Sequence, residues 1–169
     1  MMLPEPIKAA LSRSADYSPE LTARIQQLAQ QLLGDLGVPI SHDADMNYRA
    51  GQCLSFEAKY DLPAGARKGI GRGVAEVRMY ISSKGPLFGI YCLDVSLTLM
   101  QSARANLPVP EDLLPREIAR QVAGCRSRLL SEGYTEVPRE LFDVPAPGCN
   151  TELDDLPATV FQCLFTEII

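Results

Sequence analysis

One histidine, His42, and five cysteines, Cys53, Cys92, Cys125, Cys149 and Cys163, limit the chemistry that this chain can carry. A nucleophilic Cys–His pair needs His42 beside a thiol, and Cys53 is the one near it along the chain. Cys53 opens a segment of alternating apolar residues, however, and a packed thiol is the expectation for so often-buried a residue type. His42, Asp43 and Asp45 are metal-ligating types, but a single local cluster without a second histidine is better read as a surface turn with solvated acids. The run Lys68 to Gly73, preceded by Arg67, has the glycines of a phosphate cradle. Phosphate loops pass from a strand into a helix, whose first amides complete the site; this run leads into a strand-like segment instead, as a hairpin connection would.

Asp154 and Asp155, with Glu152, are the types used for general acid–base work. Leu153, Leu156 and Pro157 lie among them, and acids mixed with apolar contacts are what a recognition surface presents. The chain is therefore expected to have no catalytic residues, no metal and no cofactor, and to work by binding another macromolecule.

The charge distribution points the same way. The formal net charge is −5, and from Pro138 onward there are six acids (Glu140, Asp143, Glu152, Asp154, Asp155, Glu167) against Arg139 alone, so the first 137 residues balance. A nucleic-acid binder normally shows a clustered basic excess, whereas this asymmetry suits a protein partner with a basic surface. The first fifteen residues lack the unbroken apolar run of a signal peptide, because Pro4, Glu5, Pro6 and Lys8 interrupt it, and no stretch has the roughly 20 apolar residues of a membrane span. A cytoplasmic location without membrane association is expected, with the odd, scattered cysteines reduced. At 169 residues, 46% hydrophobic and 22% charged, the chain fits a single globular domain, 1–169.

The elements that would position these residues are α+β. Ser18-Pro19-Glu20 reads as cap, first helical residue and first-turn acid, followed by Leu21, Ile25, Leu28, Leu32 and Leu36 at helical spacing, with Gly34 and Gly37 as the stop and a weaker turn of helix before it around Ile7 to Leu11. Val38 to Gly51 reads as a polar connection. Leu54 to Tyr60 and Val74 to Ser82 alternate as half-buried strands, and Leu87 to Met100 is apolar enough for a central one. Short connections make these three a meander of antiparallel sheet. Asp112 is the expected cap of a second main helix that runs to about Glu132, with Ile118, Val122, Cys125 and Leu129 inside, Arg116, Arg120, Arg126 and Arg128 outside, and Gly133 as the stop. Tyr134 to Val137 reads as a short strand, Pro138 to Leu156 as irregular, and Ala158 to Thr166 as a C-terminal strand that extends the sheet.

The segment PRELFDVPAPGCNTELDDLPATVFQCLF, residues 138 to 165, resembles the ends of immunity proteins encoded beside bacterial polymorphic toxins. The likeness lies in the "DVPAP" connection, the "TEL" acidic step and the final "ATVFQCLF". It implies a small cytoplasmic protein that neutralises a cognate toxin by direct protein–protein contact. The expected partner-binding residues are Phe142, Asp143, Glu152, Leu153, Asp154, Asp155 and Leu156. A secretion chaperone or adaptor for an effector is the alternative, and a small Cys-dependent enzyme the third choice. The sequence leaves the oligomeric state open.

Overall fold

Local signals set both long helices. In the computed structural model, which describes residues 2–61, 72–94 and 107–168, a short helix α1 (Glu5–Leu11) precedes α2 (Pro19–Leu36). The Ser18 hydroxyl accepts the Leu21 N–H at 3.3 Å, Pro19 takes the first helical position, and Gly37 ends α2 in the left-handed conformation, φ 66°. These are the capping devices that the sequence announces.

Four strands follow, β1 (Ser41–Asp43), β2 (Gly51–Asp61), β3 (Arg72–Ser82) and β4 (Leu87–Asp94), each antiparallel to the next. β5 (Leu107–Pro108) pairs antiparallel with the end of β4. The chain then crosses over through α3 (Arg116–Ser131), and β6 (Thr135–Glu136) pairs in parallel with Leu87 and Phe88 at the start of β4. β5 and β6 thus share the edge of β4 away from β3, and the sheet is mixed around a meander core. A separate hairpin of β7 (Pro145–Asn150) and β8 (Pro157–Thr159) leads into the one-turn helix α4 (Val160–Leu164).

Alternation puts one set of side chains on each face of the sheet. Leu54, Phe56, Val77, Met79, Ile81, Phe88 and Ile90 face α2 and α3, which lay Ile25, Leu28, Leu32, Ile118, Val122, Cys125 and Leu129 against them. Each fully buried aliphatic chain of this kind contributes about 1.5–3 kcal/mol relative to exposure. Arg128 of α3 reaches Asp35 of α2 through two guanidinium nitrogens, at 2.7 and 2.8 Å, and ties the helices together at their exposed sides.

The other face carries a second core that was not expected. Tyr80, Leu87, Tyr91 and Leu93 pack there against Ile7, Val137, Phe142, Phe161, Leu164 and Phe165. Its centre is aromatic: the Phe142 and Phe161 rings are 4.8 Å apart, and Tyr80 meets Phe161 edge-on at 5.0 Å. The sheet is therefore a middle layer, with α2 and α3 on one side and α1, the hairpin and α4 on the other.

Five local expectations are corrected. The segment from Ala158 to Thr166 is not a strand extending the main sheet: only Pro157–Thr159 is extended, in the separate hairpin, and a helical turn follows. Thr159 and Gln162 form a capping box, the Thr159 hydroxyl accepting the Gln162 N–H at 3.3 Å and the Gln162 side chain accepting the Thr159 N–H at 2.9 Å, and this reciprocal cap starts α4. Asp112 does not cap α3 but lies in a 3-10 turn, Glu111–Leu113, and α3 starts behind Pro115. The Val38 to Gly51 stretch contains β1, the Pro138 to Leu156 stretch contains β7, and β6 adds a parallel pairing to a sheet read as antiparallel. Residues 95–100 of the expected third strand and most of the glycine-rich run lie outside the described residues.

Candidate functional site

The turn between β7 and β8 gathers Glu152, Leu153, Asp154, Asp155 and Leu156, all of them exposed. The two leucines are each 57% exposed, a large apolar surface for so short a turn. Its backbone is nevertheless held. Both oxygens of the Glu167 carboxylate accept main-chain N–H groups, from Glu152 at 2.6 Å and from Leu153 at 2.9 Å. The Thr151 N–H donates to the Leu156 carbonyl at 2.9 Å, the Asp154 carboxylate accepts from the Thr151 hydroxyl and the Leu156 N–H, and Asn150 donates to Asp155 at 2.9 Å. Asp155 takes the left-handed conformation, φ 57°, which short polar side chains tolerate best. The result is a preorganised tip carrying three acids and two leucines.

Phe142 and Asp143 do not belong to it. Phe142 is 1% exposed, stacked on Tyr91 with ring centroids 6.2 Å apart, so its side chain is a core anchor and not a partner contact. This corrects its place in the expected binding set: an isolated Phe in an acidic, proline-rich stretch gives no sign in sequence that a second core exists to receive it. Asp143 is exposed and 3.3 Å from Arg139, but it precedes β7 and lies at the base of the hairpin. The irregular strand β7, Pro145–Asn150, lies between it and the tip.

His42 and Cys53 are kept apart by register. His42 pairs with Leu54 and Asp43 with Cys53, so His42 shares the helix-facing side of the sheet with Leu54 while Cys53 points to the other. The His42 Nε2 is 2.7 Å from the Gln52 side-chain oxygen, and the Gln52 amide donates to the Thr22 hydroxyl at 2.8 Å, a polar link from β1 through β2 to α2. Burial pushes the Cys53 thiol up to about 12, the opposite of activation. The Cys–His pair considered from the sequence is not assembled. Asp43 accepts from Arg49 at 2.6 Å and from the Asp45 N–H at 3.0 Å, and Asp45 accepts from the Asn47 N–H at 3.0 Å, so these carboxylates hold a turn. Among the described residues no cluster of His, Cys, Asp and Glu is arranged for a metal. The expected basic face of α3 is partly neutralised, with Arg126 paired to Glu111 and Glu136 and Arg128 to Asp35 and Glu132.

Beside the hairpin lies a cleft of about 370 Å³, with Glu152 on its rim and Arg13, Tyr17, Tyr48 and Lys84 among its walls. Cys149 of β7 and Cys163 of α4 meet there, the Cys163 Sγ donating to the Cys149 Sγ at 2.9 Å and the Lys84 Nζ donating to the Cys163 Sγ at 3.4 Å. Sequence reasoning missed this pair, since only the hairpin and the turn of α4 bring positions 14 apart together. In comparisons with protein-family models, curated proteins and solved structures, nothing matches this chain. Among the described residues, no helix is long and apolar enough to cross a membrane.

Proposed function

We propose that the chain is a binding protein that engages a protein partner with a basic surface through the β7–β8 tip, and that this partner is a cognate toxin which it neutralises. The observation that supports the reading is the combination at the tip: exposed Leu153 and Leu156, flanked by Glu152, Asp154 and Asp155, on a backbone already held by Glu167. Preorganisation lowers the ordering cost of association, apolar anchors slow dissociation, and acids opposite a basic surface accelerate encounter.

The test is binding kinetics against the product of the adjacent reading frame, at two ionic strengths. Glu152→Gln with Asp155→Asn removes two charges while retaining a residue that accepts the left-handed conformation at 155. This variant should associate more slowly at low salt and match the parent at high salt, where the charges are screened. Leu153→Ala should chiefly raise the dissociation rate. Unchanged kinetics in both variants would move the interface off the tip.

A further inference from the structure

We propose that Cys149 and Cys163 form a reversible dithiol–disulfide site, oxidised by a low-molecular-weight disulfide that enters the cleft beside the hairpin. The proposal stands on the meeting of the two side chains in that cleft and is independent of the identity of any protein partner.

The two sulfurs, 2.9 Å apart, are closer than non-bonded carbon atoms approach, although sulfur is the larger atom. A disulfide would hold them at roughly 2.05 Å. Four separate parts of the chain build the site: β7 supplies Cys149, α4 supplies Cys163, the β3–β4 turn supplies Lys84, and the segment after α1 supplies Arg13. The cleft is of a size that admits small molecules.

Both cysteines line the cleft, Cys149 half-buried and Cys163 buried, so Cys149 is the more accessible of the two. Burial, together with the hydrogen bond that it donates to Cys149, pushes the Cys163 thiol up to about 11, with Lys84 acting against that rise. The order of events follows. Cys149 loses its proton and attacks one sulfur of the disulfide RSSR; the S–S bond breaks, RS⁻ leaves and takes up a proton, and Cys149 carries the mixed disulfide. Cys163 then gives up its proton, with the Lys84 ammonium stabilising the thiolate, and attacks the Cys149 sulfur, expelling the second RS⁻, which is protonated to RSH. In sum, two protein thiols and RSSR become one intramolecular disulfide and two RSH. The bond ties together the two ends of the segment that carries the acidic tip.

The other three thiols are placed differently. Cys92 and Cys125 are buried in the main core, Cys53 lies on the opposite side of β2 from it, and burial pushes each of the three up to about 12.

The full chain, equilibrated with graded ratios of reduced to oxidised glutathione, quenched with acid, alkylated after unfolding and mapped by mass spectrometry, tests this. As the ratio becomes oxidising, two thiols should disappear together and a linked peptide should join Cys149 to Cys163, while Cys53, Cys92 and Cys125 remain alkylated. A folded Cys163→Ser variant should accumulate the glutathione adduct at Cys149, and Lys84→Gln should prolong the lifetime of that adduct in the otherwise native chain. Retention of all five thiols at the most oxidising ratio in protein that circular dichroism shows to be folded, or a bond between any other pair, overturns the proposal without recourse to a variant.

Discussion

A β-carbon on Gly89 would come within 2.7 Å of the Phe142 ring Cζ and 3.2 Å of the Phe165 ring. The absence of a side chain at the middle of β4 is what lets the aromatic core close onto the sheet. Phe142 has nowhere to retreat, with Tyr91 stacked on it and Phe161 at 4.8 Å. Gly89→Ala should therefore lower stability by about 1–3 kcal/mol, as overpacking does, despite the better strand propensity of alanine. Denaturant unfolding of the parent and the variant gives the difference directly; an unchanged midpoint would mean that the aromatic layer can shift.

The grip of Glu167 on the hairpin tip should be visible locally. Glu167→Gln leaves an acceptor with one oxygen where two amides are now held, and the loss is about 1 kcal/mol of tip stability. Amide hydrogen exchange should accelerate at Glu152 and Leu153, while exchange in β2 to β4 stays as it was. Equal acceleration across the sheet would show that Glu167 acts on the whole fold.

Asp35 gives stability a pH dependence of known sign. Its hydrogen bonds from Arg128 hold its carboxyl below the ordinary carboxylate range, against an opposing effect of desolvation. The contribution is fully present above the unfolded value of about 3.9 and is lost as pH falls through the folded value. Asp35→Asn should thus be less stable than the parent at pH 7, with the gap narrowing in acid. Urea unfolding at neutral and at acid pH checks this; a gap that is constant with pH would put the stabilisation elsewhere.

His42 and Cys53 should behave as strangers. His42→Ala breaks the link through Gln52 to Thr22 and should cost about 1 kcal/mol. Cys53→Ser should leave partner binding intact. Because the two side chains lie on opposite sides of the sheet, their effects on stability should add to within about 0.5 kcal/mol in a double-mutant cycle. A larger coupling would place them in contact and return the Cys-dependent enzyme to consideration.

Where a residue's structure is decided by neighbours within a few positions, it was legible in the sequence. Ser18, Pro19 and Gly37 bound α2 because capping is local chemistry, and the alternation of Leu54 to Tyr60 and of Ala75 to Ile81 sets which side chains face the helices because a strand has period two. The acids and leucines at 152 to 156 could likewise be picked out as one exposed group. What required the tertiary structure is whatever depends on a second surface. The polar-looking far side of the sheet proved covered at Tyr80, Leu87, Tyr91 and Leu93, since Phe142, Phe161 and Phe165 arrive from positions more than forty residues beyond the strands they cover. The same folding-over withdraws Phe142 from the candidate site and brings Cys149 against Cys163, while the pairing of β1 with β2 sets His42 and Cys53 on opposite faces. Types and periodicity are properties of the chain, but burial and contact are properties of pairs of surfaces, and these are determined only when the layers meet.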